Sequence, residues 1–300
     1  MKTFSIIIPT FNRAHTIIRT LNSVKIQNLS KEIEVILVDD GSTDNTATVV
    51  NNWIENNKLE IKYLSQTHQG VSKARNFGVS QSNANWICFL DSDDEWLANK
   101  LKKQLQYILI NPNIRIFQTE EIWFRNGIRV NAHKKHKKIS GNIFQESLLQ
   151  CMITTSSVAI RRDLWLENHG FDTKLSSCED YDLWLRITCK EEIGLLPENL
   201  LIRYGGAKDQ LSIIYPVMDR FRIYAIIKNW NIFNQNQKYL AQEVLFKKLS
   251  ILKTGLEKRN KSTEMIHYLL TWTKNILIQK QVNLLDKTYS EYLLDNQLWT

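Results

Sequence analysis

The sequence predicts an α/β protein, with a mostly parallel central sheet flanked by helices and a helical extension at its C-terminal end. Two observations carry this. Short β-rich apolar runs alternate with helical patterns through the first part of the chain, which is how strands of a sheet covered on both faces read. From about Met218 onward strand signals fade and the pattern is helical, rich in Lys and Asn.

The elements follow in order. "FSIII" from Phe4 reads as a strand, Ala14 to Gln27 as an amphipathic helix, "EVILVD" as a strand and Thr43 to Asn56 as a helix. "IKYLS", a helix over Val71 to Val79 and the strand "WICFL" complete the alternating half, taken as residues 1–110. A helix is expected from about Leu97, which Asp93 or Asp94 would cap and Glu95 favour through the dipole. Beyond residue 111 the order changes: "IRIFQTEEIWFRNGIRVN" reads as strands turning at Asn126-Gly127, a strong hairpin signal. Ser156 to Ile160 reads as a buried strand, Arg162 to Asn168 as a short helix, and "CEDYDLWLRI" as the start of an amphipathic helix with Leu183, Trp184 and Ile187 inward. These elements make a second half, 111–215, and a soft boundary near 215 precedes the helical extension 216–300.

Three hundred residues, 43% hydrophobic, suffice for one large domain with an appendage or two modest domains. The 39 basic against 31 acidic side chains give +8, which suits an anionic partner. Part of that excess is one block, His133 to Lys138, read either as a solvated loop or as a foothold on an anionic acceptor or a membrane surface. Cys88, Cys151, Cys178 and Cys189 are scattered without a Cys-x-x-Cys pair, as reduced thiols in a cytoplasmic protein are. The apolar start is stopped by Pro9, too short for a signal peptide, and no apolar stretch approaches the roughly 18 to 20 residues of a spanning helix. A cytoplasmic location is expected, with peripheral contact at the inner face of the membrane through 133–138.

In open α/β sheets ligands bind outside the carboxyl ends of the strands. After the first strand stand Pro9, Thr10, Phe11, Asn12 and Arg13; after the second, Asp39 to Asp44; after the third, Thr67, His68, Gln69 and Gly70, then a helix with Lys73, Arg75 and Asn76. The fourth is followed by Asp91, Ser92, Asp93 and Asp94. Three carboxylates in four positions repel one another, and capping a helix uses only one. A hard divalent cation, Mg²⁺ or Mn²⁺, taking oxygen ligands from carboxylates and substrate phosphates, accounts for the rest.

In this order, "SIIIPTFNR", "VILVDDGSTDNT", "GVSKARNFG", "FLDSDDEW" and "CEDYDLWLR" resemble the inverting family 2 glycosyltransferases of the GT-A fold, over roughly residues 4 to 212. The resemblance implies a Rossmann-like nucleotide-diphospho-sugar transferase fold, a nucleotide-sugar donor, with a UDP-sugar expected first, and Mn²⁺ or Mg²⁺ on its diphosphate. It further implies that Pro9, Thr10, Phe11 and Asn12 line the nucleoside pocket with Gly70 and Ser92, that Asp40 accepts from the base, and that Arg75 contacts nucleotide or phosphate. In the Asp-x-Asp signature Asp91 would reach the ribose side and Asp93 the metal, with Asp94 nearby. The resemblance also implies a saccharide or lipid-linked acceptor, as in polysaccharide biosynthesis.

Inverting transfer needs a base opposite the departing diphosphate. Asp180 is assigned that role, with Glu179 supporting; the alternative is a pair of acids that merely favour a helix N-terminus. Trp184, one turn on, either stacks on the acceptor sugar or belongs to the core. One departure stands out: Ala207 occupies the place where relatives carry a histidine that completes the metal shell, and Asp209 is the nearest substitute. Of the remaining histidines, His68 alone is close to the donor side.

Other classes fit less well. The first strand leads into Pro-Thr-Phe-Asn-Arg, not Gly-x-Gly-x-x-Gly, and no Gly-x-x-x-x-Gly-Lys-Ser/Thr is present. Nucleic-acid binding has only net charge in its favour. The rival of another class is a catalytically idle relative that binds nucleotide or glycan, a reading motivated by Ala207. The terminal helices, with Leu269, Leu270, Trp272, Ile276 and Leu277 on an apolar face, would close the domain, form a homodimer or lie on a membrane.

Overall fold

The computed structural model describes all residues except 1, 28, 30–31, 132–135, 207–209, 216, 277–286 and 300. Ala207, Asp209, His133, Lys134, Lys135 and Leu277 therefore lie outside the described residues. The chain forms two compact units that interleave along the sequence: Met1–Asn142, Ile153–Thr173 and Glu191–Ala207 make the first, and Ile143–Met152, Lys174–Lys190 and Lys208–Thr300 the second. Instead of one boundary near 215, two earlier segments group with the C-terminal helices, because Phe144, Leu148, Tyr181 and Leu185 share a hydrophobic cluster with them.

In the first unit the alternation predicted from the sequence is realised as β1 (Phe4–Thr10), α1 (Ile17–Lys25), β2 (Ile33–Asp39), α2 (Thr46–Glu55), β3 (Ile61–Ser65), α3 (Val71–Ser80) and β4 (Trp86–Phe89). The order β3-β2-β1-β4 is parallel throughout, with Thr10 opposite Asp39 and Asp39 opposite Ser65. All seven residues of β1 are buried, which is why the run reads as apolar without alternation. Ile6, Ile8, Val35, Leu37 and Cys88 pack on one face of the sheet. On the other, α3 lies so close to β1 that a methyl at Gly78 would stand 2.5 Å from Ile7 Cγ2.

The later half differs from a simple continuation. Glu95–Trp96 form a short strand, β5, and the next helix, α4 (Lys100–Ile110), starts only after Asn99, which has φ of 66°. No helix begins at Leu97, so capping does not account for the acids before it. β6 (Ile116–Arg125) and β7 (Ile128–Val130) form the expected hairpin. Asn126 and Gly127 both have positive φ, 51° and 78°, as a two-residue primed turn requires.

α5 (Phe144–Leu149), in the second unit, is followed in the first by a 3₁₀ turn at Thr155–Ser157, β8 (Ala159–Arg161) and α6 (Arg162–Glu167). After α7 (Glu179–Thr188), a second-unit helix, the first unit resumes with a strand the sequence reading lacks, β9 (Gly194–Gly205). It runs parallel to β6 and antiparallel to β5. Its signal is broken by Pro197, Glu198 and Asn199, which sit where the β6–β9 register shifts; two of them bulge out between Leu196 and Asn199.

The second unit adds α8 (Leu211–Ile214), α9 (Asp219–Lys228), α10 (Gln235–Lys258), α11 (Glu264–Asn275) and α12 (Lys287–Leu294) to α5 and α7. The long α10 opens with a capping box in which Asn234 and Gln237 bond reciprocally. Leu269, Leu270 and Ile276 are buried in this unit's core, and Trp272 packs against it near Trp230. That apolar stripe is used within the unit rather than presented to a membrane.

Candidate functional site

The carboxyl ends of β1, β2 and β3 are tied to one another by side chains that the motifs supply. Asn12, in the left-handed region at φ 52°, accepts at Oδ1 from the Thr43 and Asp44 amides at 2.8 and 3.3 Å. Its own amide donates to Ser42 Oγ at 2.9 Å, so the loops after β1 and β2 are stitched together. Asp39 accepts from the Ser42 amide and from the Tyr63 hydroxyl, both at 2.8 Å. Burial and that carboxylate hold the Tyr63 phenol well above its ordinary value. Pro9 and Thr10 are buried at the end of β1, and Thr10 Oγ1 has no hydrogen-bond partner among the described residues.

Asp40 is buried and its carboxylate gathers donors from the loop after β3. Oδ1 accepts from Gln66 Nε2 at 2.6 Å and the Gln69 amide at 2.9 Å; Oδ2 accepts from the Gly70 amide at 2.7 Å and lies 2.9 Å from His68 Nδ1. The loop 66–70 is thus folded around Asp40. Gly41, at φ 79°, allows it: a Cβ there would stand 2.8 Å from the His68 amide nitrogen. The His68 ring stacks on Phe11, centroids 4.0 Å apart and planes 24° from parallel.

The acids after β4 sit in a different setting. Asp91 accepts from Arg75 at 2.6 Å, and its amide donates to Ser156 Oγ. Arg75 itself is buried on α3, with its guanidinium 5.1 Å over the Phe171 ring. Ser92 is buried. Asp93 and Asp94 accept at their backbone carbonyls from Arg19 and from Thr20 Oγ1, at 2.6 and 2.8 Å, which fixes this stretch to α1. The Asp94 side chain is buried and accepts from the Tyr204 amide at 3.3 Å. Burial first, then the charges of Asp93 and Asp91, push its carboxyl well above the usual range, and Arg203 and Ser156 offset this only in part.

Arg19, Arg203 and Tyr204 were not anticipated from sequence. The Arg19 guanidinium lies 3.6 Å over the Tyr204 ring, and the Tyr204 hydroxyl donates to Glu95 at 3.0 Å. The one signal for Arg203 and Tyr204 in the sequence is their adjacency to Gly205-Gly206-Ala207, and the bulge at Pro197 and Glu198 obscures the strand that carries them. Lys138 also departs from expectation: it is buried, paired with Glu121 at 2.9 Å and donating to Thr119 O. Arg203 lies 3.8 Å from the same glutamate. Within the basic block Lys137 is exposed, whereas Lys138 is not part of a solvated face.

In the second unit, Cys178 adopts φ of 61° just before α7, so Glu179 and Asp180 open the helix. Glu179 is buried; Asp180 is half-buried, accepting from the Tyr181 amide at 2.6 Å and from Cys151 Sγ at 3.3 Å. Asp182 is the structural acid of this helix, fully buried and bonded to Arg186, Lys228 and Asn229. Trp184 is 1% exposed and offers no ring face to a sugar, so it belongs to the core.

Among the described residues no three His, Cys, Asp or Glu side chains are grouped to hold a metal. Asp93 and Asp94 nonetheless fit one. They are adjacent hard oxygen donors whose mutual repulsion a cation would relieve, and Mg²⁺ commonly takes only one or two carboxylates, completing its shell with water and phosphate.

The chain is similar to several known proteins. A Rickettsia conorii glycosyltransferase is 32% identical over 204 residues, covering 67% of this chain and 33% of that protein, so the chain spans about a third of its length. An Escherichia coli protein, UDP-Glc:alpha-D-GlcNAc-diphosphoundecaprenol beta-1,3-glucosyltransferase WfgD, is 35% identical over 184 residues, 61% of this chain and 68% of that one. The structure of S. aureus TarS 1-349 in complex with UDP-GlcNAc superposes with a TM-score of 0.68 at 23% identity, over 93% of this chain and 81% of the other. It shares the GT-A fold that the motifs implied. The family description Glycosyl transferase family 2 matches residues 5–167, more than half of the chain and the whole of the strand-end site from Pro9 to Asp94, and to that family this protein belongs.

Proposed function

We propose that the chain is a metal-dependent, inverting glycosyltransferase that moves a sugar from a nucleotide-sugar, first of all a UDP-sugar, to a saccharide or lipid-linked acceptor. The observation that carries this reading is the crowding of Asp91, Asp93 and buried Asp94, whose charges and burial raise the Asp94 carboxyl, on the strand edge that also bears Phe11, Asn12 and the Asp40-organised loop. Family membership supports it, as do the donor and acceptor named for WfgD and the UDP-GlcNAc bound by TarS.

Asp93 and Asp94 would hold Mn²⁺ or Mg²⁺, which when bound neutralises the charge developing on the departing diphosphate. Arg75, buried and fixed on Asp91, orients that carboxylate toward the ribose side and holds its own guanidinium ready for phosphate. Asp180 takes the proton of the acceptor hydroxyl. It is suited to this because it keeps part of its surface exposed, whereas Asp182 is fully buried on Arg186 and Lys228. Glu179 supports it from the preceding position. No described helix is long and apolar enough to cross a membrane. We assign any contact with a lipid-linked acceptor's membrane to Lys134, Lys135 and Lys137, without Lys138.

The test is incubation with UDP-glucose and UDP-GlcNAc, Mn²⁺ and a GlcNAc-diphospho-lipid acceptor. Transfer is expected, and Asp180→Asn lowers its rate by about 10²–10⁴-fold while leaving donor affinity within about twofold. A variant that transfers normally would remove Asp180 from the mechanism; one that binds donor but never had a transferring parent would point to the idle relative.

A further inference from the structure

We infer that Cys151 is a positioning residue for the base: its thiol fixes the Asp180 carboxylate in place for the proton that the acceptor hydroxyl gives up. The inference rests on the reading of Asp180 above and adds a second side chain to that step.

Asp180 is the second residue of α7, where the unpaired amides of the first turn compete for any carboxylate nearby. A carboxylate drawn wholly onto its own helix would be a cap and no more. Here the Tyr181 amide takes Oδ1 at 2.6 Å, while Oδ2 accepts from Cys151 Sγ at 3.3 Å, a donor 29 residues earlier in the chain. Held at both oxygens from two different segments, the carboxylate cannot turn about its Cβ–Cγ bond without giving up one partner. An ionised carboxylate has about four lone-pair positions, so these two donors leave room for a hydroxyl.

The kind of donor matters as much as its place. Asp182, two residues on, is held by Arg186, Lys228 and Asn229 at 2.8, 3.1 and 2.8 Å. Charged donors of that sort fix an acid and also bind its charge, which opposes taking up a proton. A thiol is a weak donor, so it orients the carboxylate and leaves it able to be protonated.

The fold places this sulfur through the same residue that engages the other oxygen. α5 ends at Leu149, and Gln150 is extended at φ −157° and ψ 168°, so the chain leaves the helix just before Cys151. The buried Tyr181 hydroxyl donates to Leu148 O at 2.7 Å, and Lys248 of α10 donates to Leu149 O at 3.3 Å. Tyr181 thus acts twice: its amide meets Oδ1, and its hydroxyl pins the segment that carries the thiol to Oδ2. Cys151 and Asp180 are both half-buried, so their contact lies at the surface of the second unit and not in its core.

The experiment follows transfer from a UDP-sugar to a GlcNAc-diphospho-lipid acceptor, with Mn²⁺, by the parent chain, Cys151→Ala, Cys151→Ser and Asp180→Asn, and by Asp180→Asn combined with Cys151→Ala. Cys151→Ala is expected to lower kcat about three- to tenfold, the worth of one hydrogen bond, with the donor KM unchanged. Cys151→Ser, which restores a donor, recovers most of the loss. In the Asp180→Asn background removal of the thiol makes no further difference, because the two residues act as one unit. If Cys151→Ala lowers Tm, Cys151→Val, which fills the space without a donor, replaces it in the comparison. A donorless variant at the parental rate, a serine variant as slow as alanine, or an equal loss in both backgrounds overturns the role of Cys151. A parent that does not transfer, or Asp180→Asn at the parental rate, contradicts the reading of Asp180 itself and takes this inference with it.

Discussion

Asp94 is where single-residue energetics and function pull in opposite directions. Its folded carboxyl is raised by burial and by Asp93 and Asp91, so between its ordinary value and that raised value the folded chain holds a proton the unfolded chain has lost. Stability from this group is therefore present at low pH and lost as pH rises through the raised folded value. Asp94→Asn keeps the Tyr204 amide bonded to an oxygen and removes the charge. Near pH 7.5 it is expected to raise Tm by about 2–4 °C for each kcal/mol relieved, while metal-dependent nucleotide binding is lost. A lower Tm measured by scanning calorimetry would show that the carboxylate is already compensated. Asp40 makes the opposite case: equally buried, its carboxylate accepts from Gln66 Nε2 and from the Gln69 and Gly70 amides and serves the loop that it folds.

At the scale of elements, Asp219 at the start of α9 joins that helix to α10. It accepts from Lys248 at 2.8 Å and from Arg222 at 2.9 Å. Burial alone would raise its carboxyl, but the two cations outweigh it and hold it below the usual value. Its stabilisation is therefore complete above the ordinary carboxylate range and is lost as pH falls through the lowered folded value. Asp219→Asn is expected to cost about 1–3 kcal/mol at pH 7 and to flatten the fall in stability between pH 5 and 3, as read from urea unfolding. Wild-type and variant curves that keep a constant offset down to pH 3 would contradict it. Which elements the sequence disclosed follows the same local physics. β1 to β4 were legible because fully buried parallel strands are continuous apolar runs, and the hairpin because only residues tolerant of positive φ fit its turn. β9 was not, because Pro197 and Glu198 occupy a bulge, and β5 was not, because two residues pair only through their distant partner. Trp184 read as an inward or a sugar-facing residue; with eight of the ten residues of α7 buried, the helix leaves it no exposed face. The acids of the site were legible as a pattern, but the contacts of Asp40 with Gln66, of His68 with Phe11 and of Arg19 with Tyr204 join elements far apart in sequence.

At the scale of the whole molecule, the net charge of +8 divides into cations consumed by folding and cations left on the surface. Lys138 is of the first kind, and Lys138→Ala leaves buried Glu121 with Arg203 at 3.8 Å as its one described cationic partner, at a cost of up to about 3 kcal/mol. Replacing Lys134, Lys135 and Lys137 together is expected to leave stability unchanged and to weaken binding to anionic liposomes, as measured by co-sedimentation. Equal liposome binding by parent and triple variant would place any membrane contact elsewhere. The central claim is a metal-assisted donor site on the strand edge, and calorimetric titration of UDP, GDP and dTDP with Mn²⁺, with Mg²⁺ and with chelator tests it most directly. Micromolar binding of one of them, about 7–8 kcal/mol, that disappears with chelator is the predicted result. Binding that is indifferent to metal, or no binding of any of the three, would contradict it.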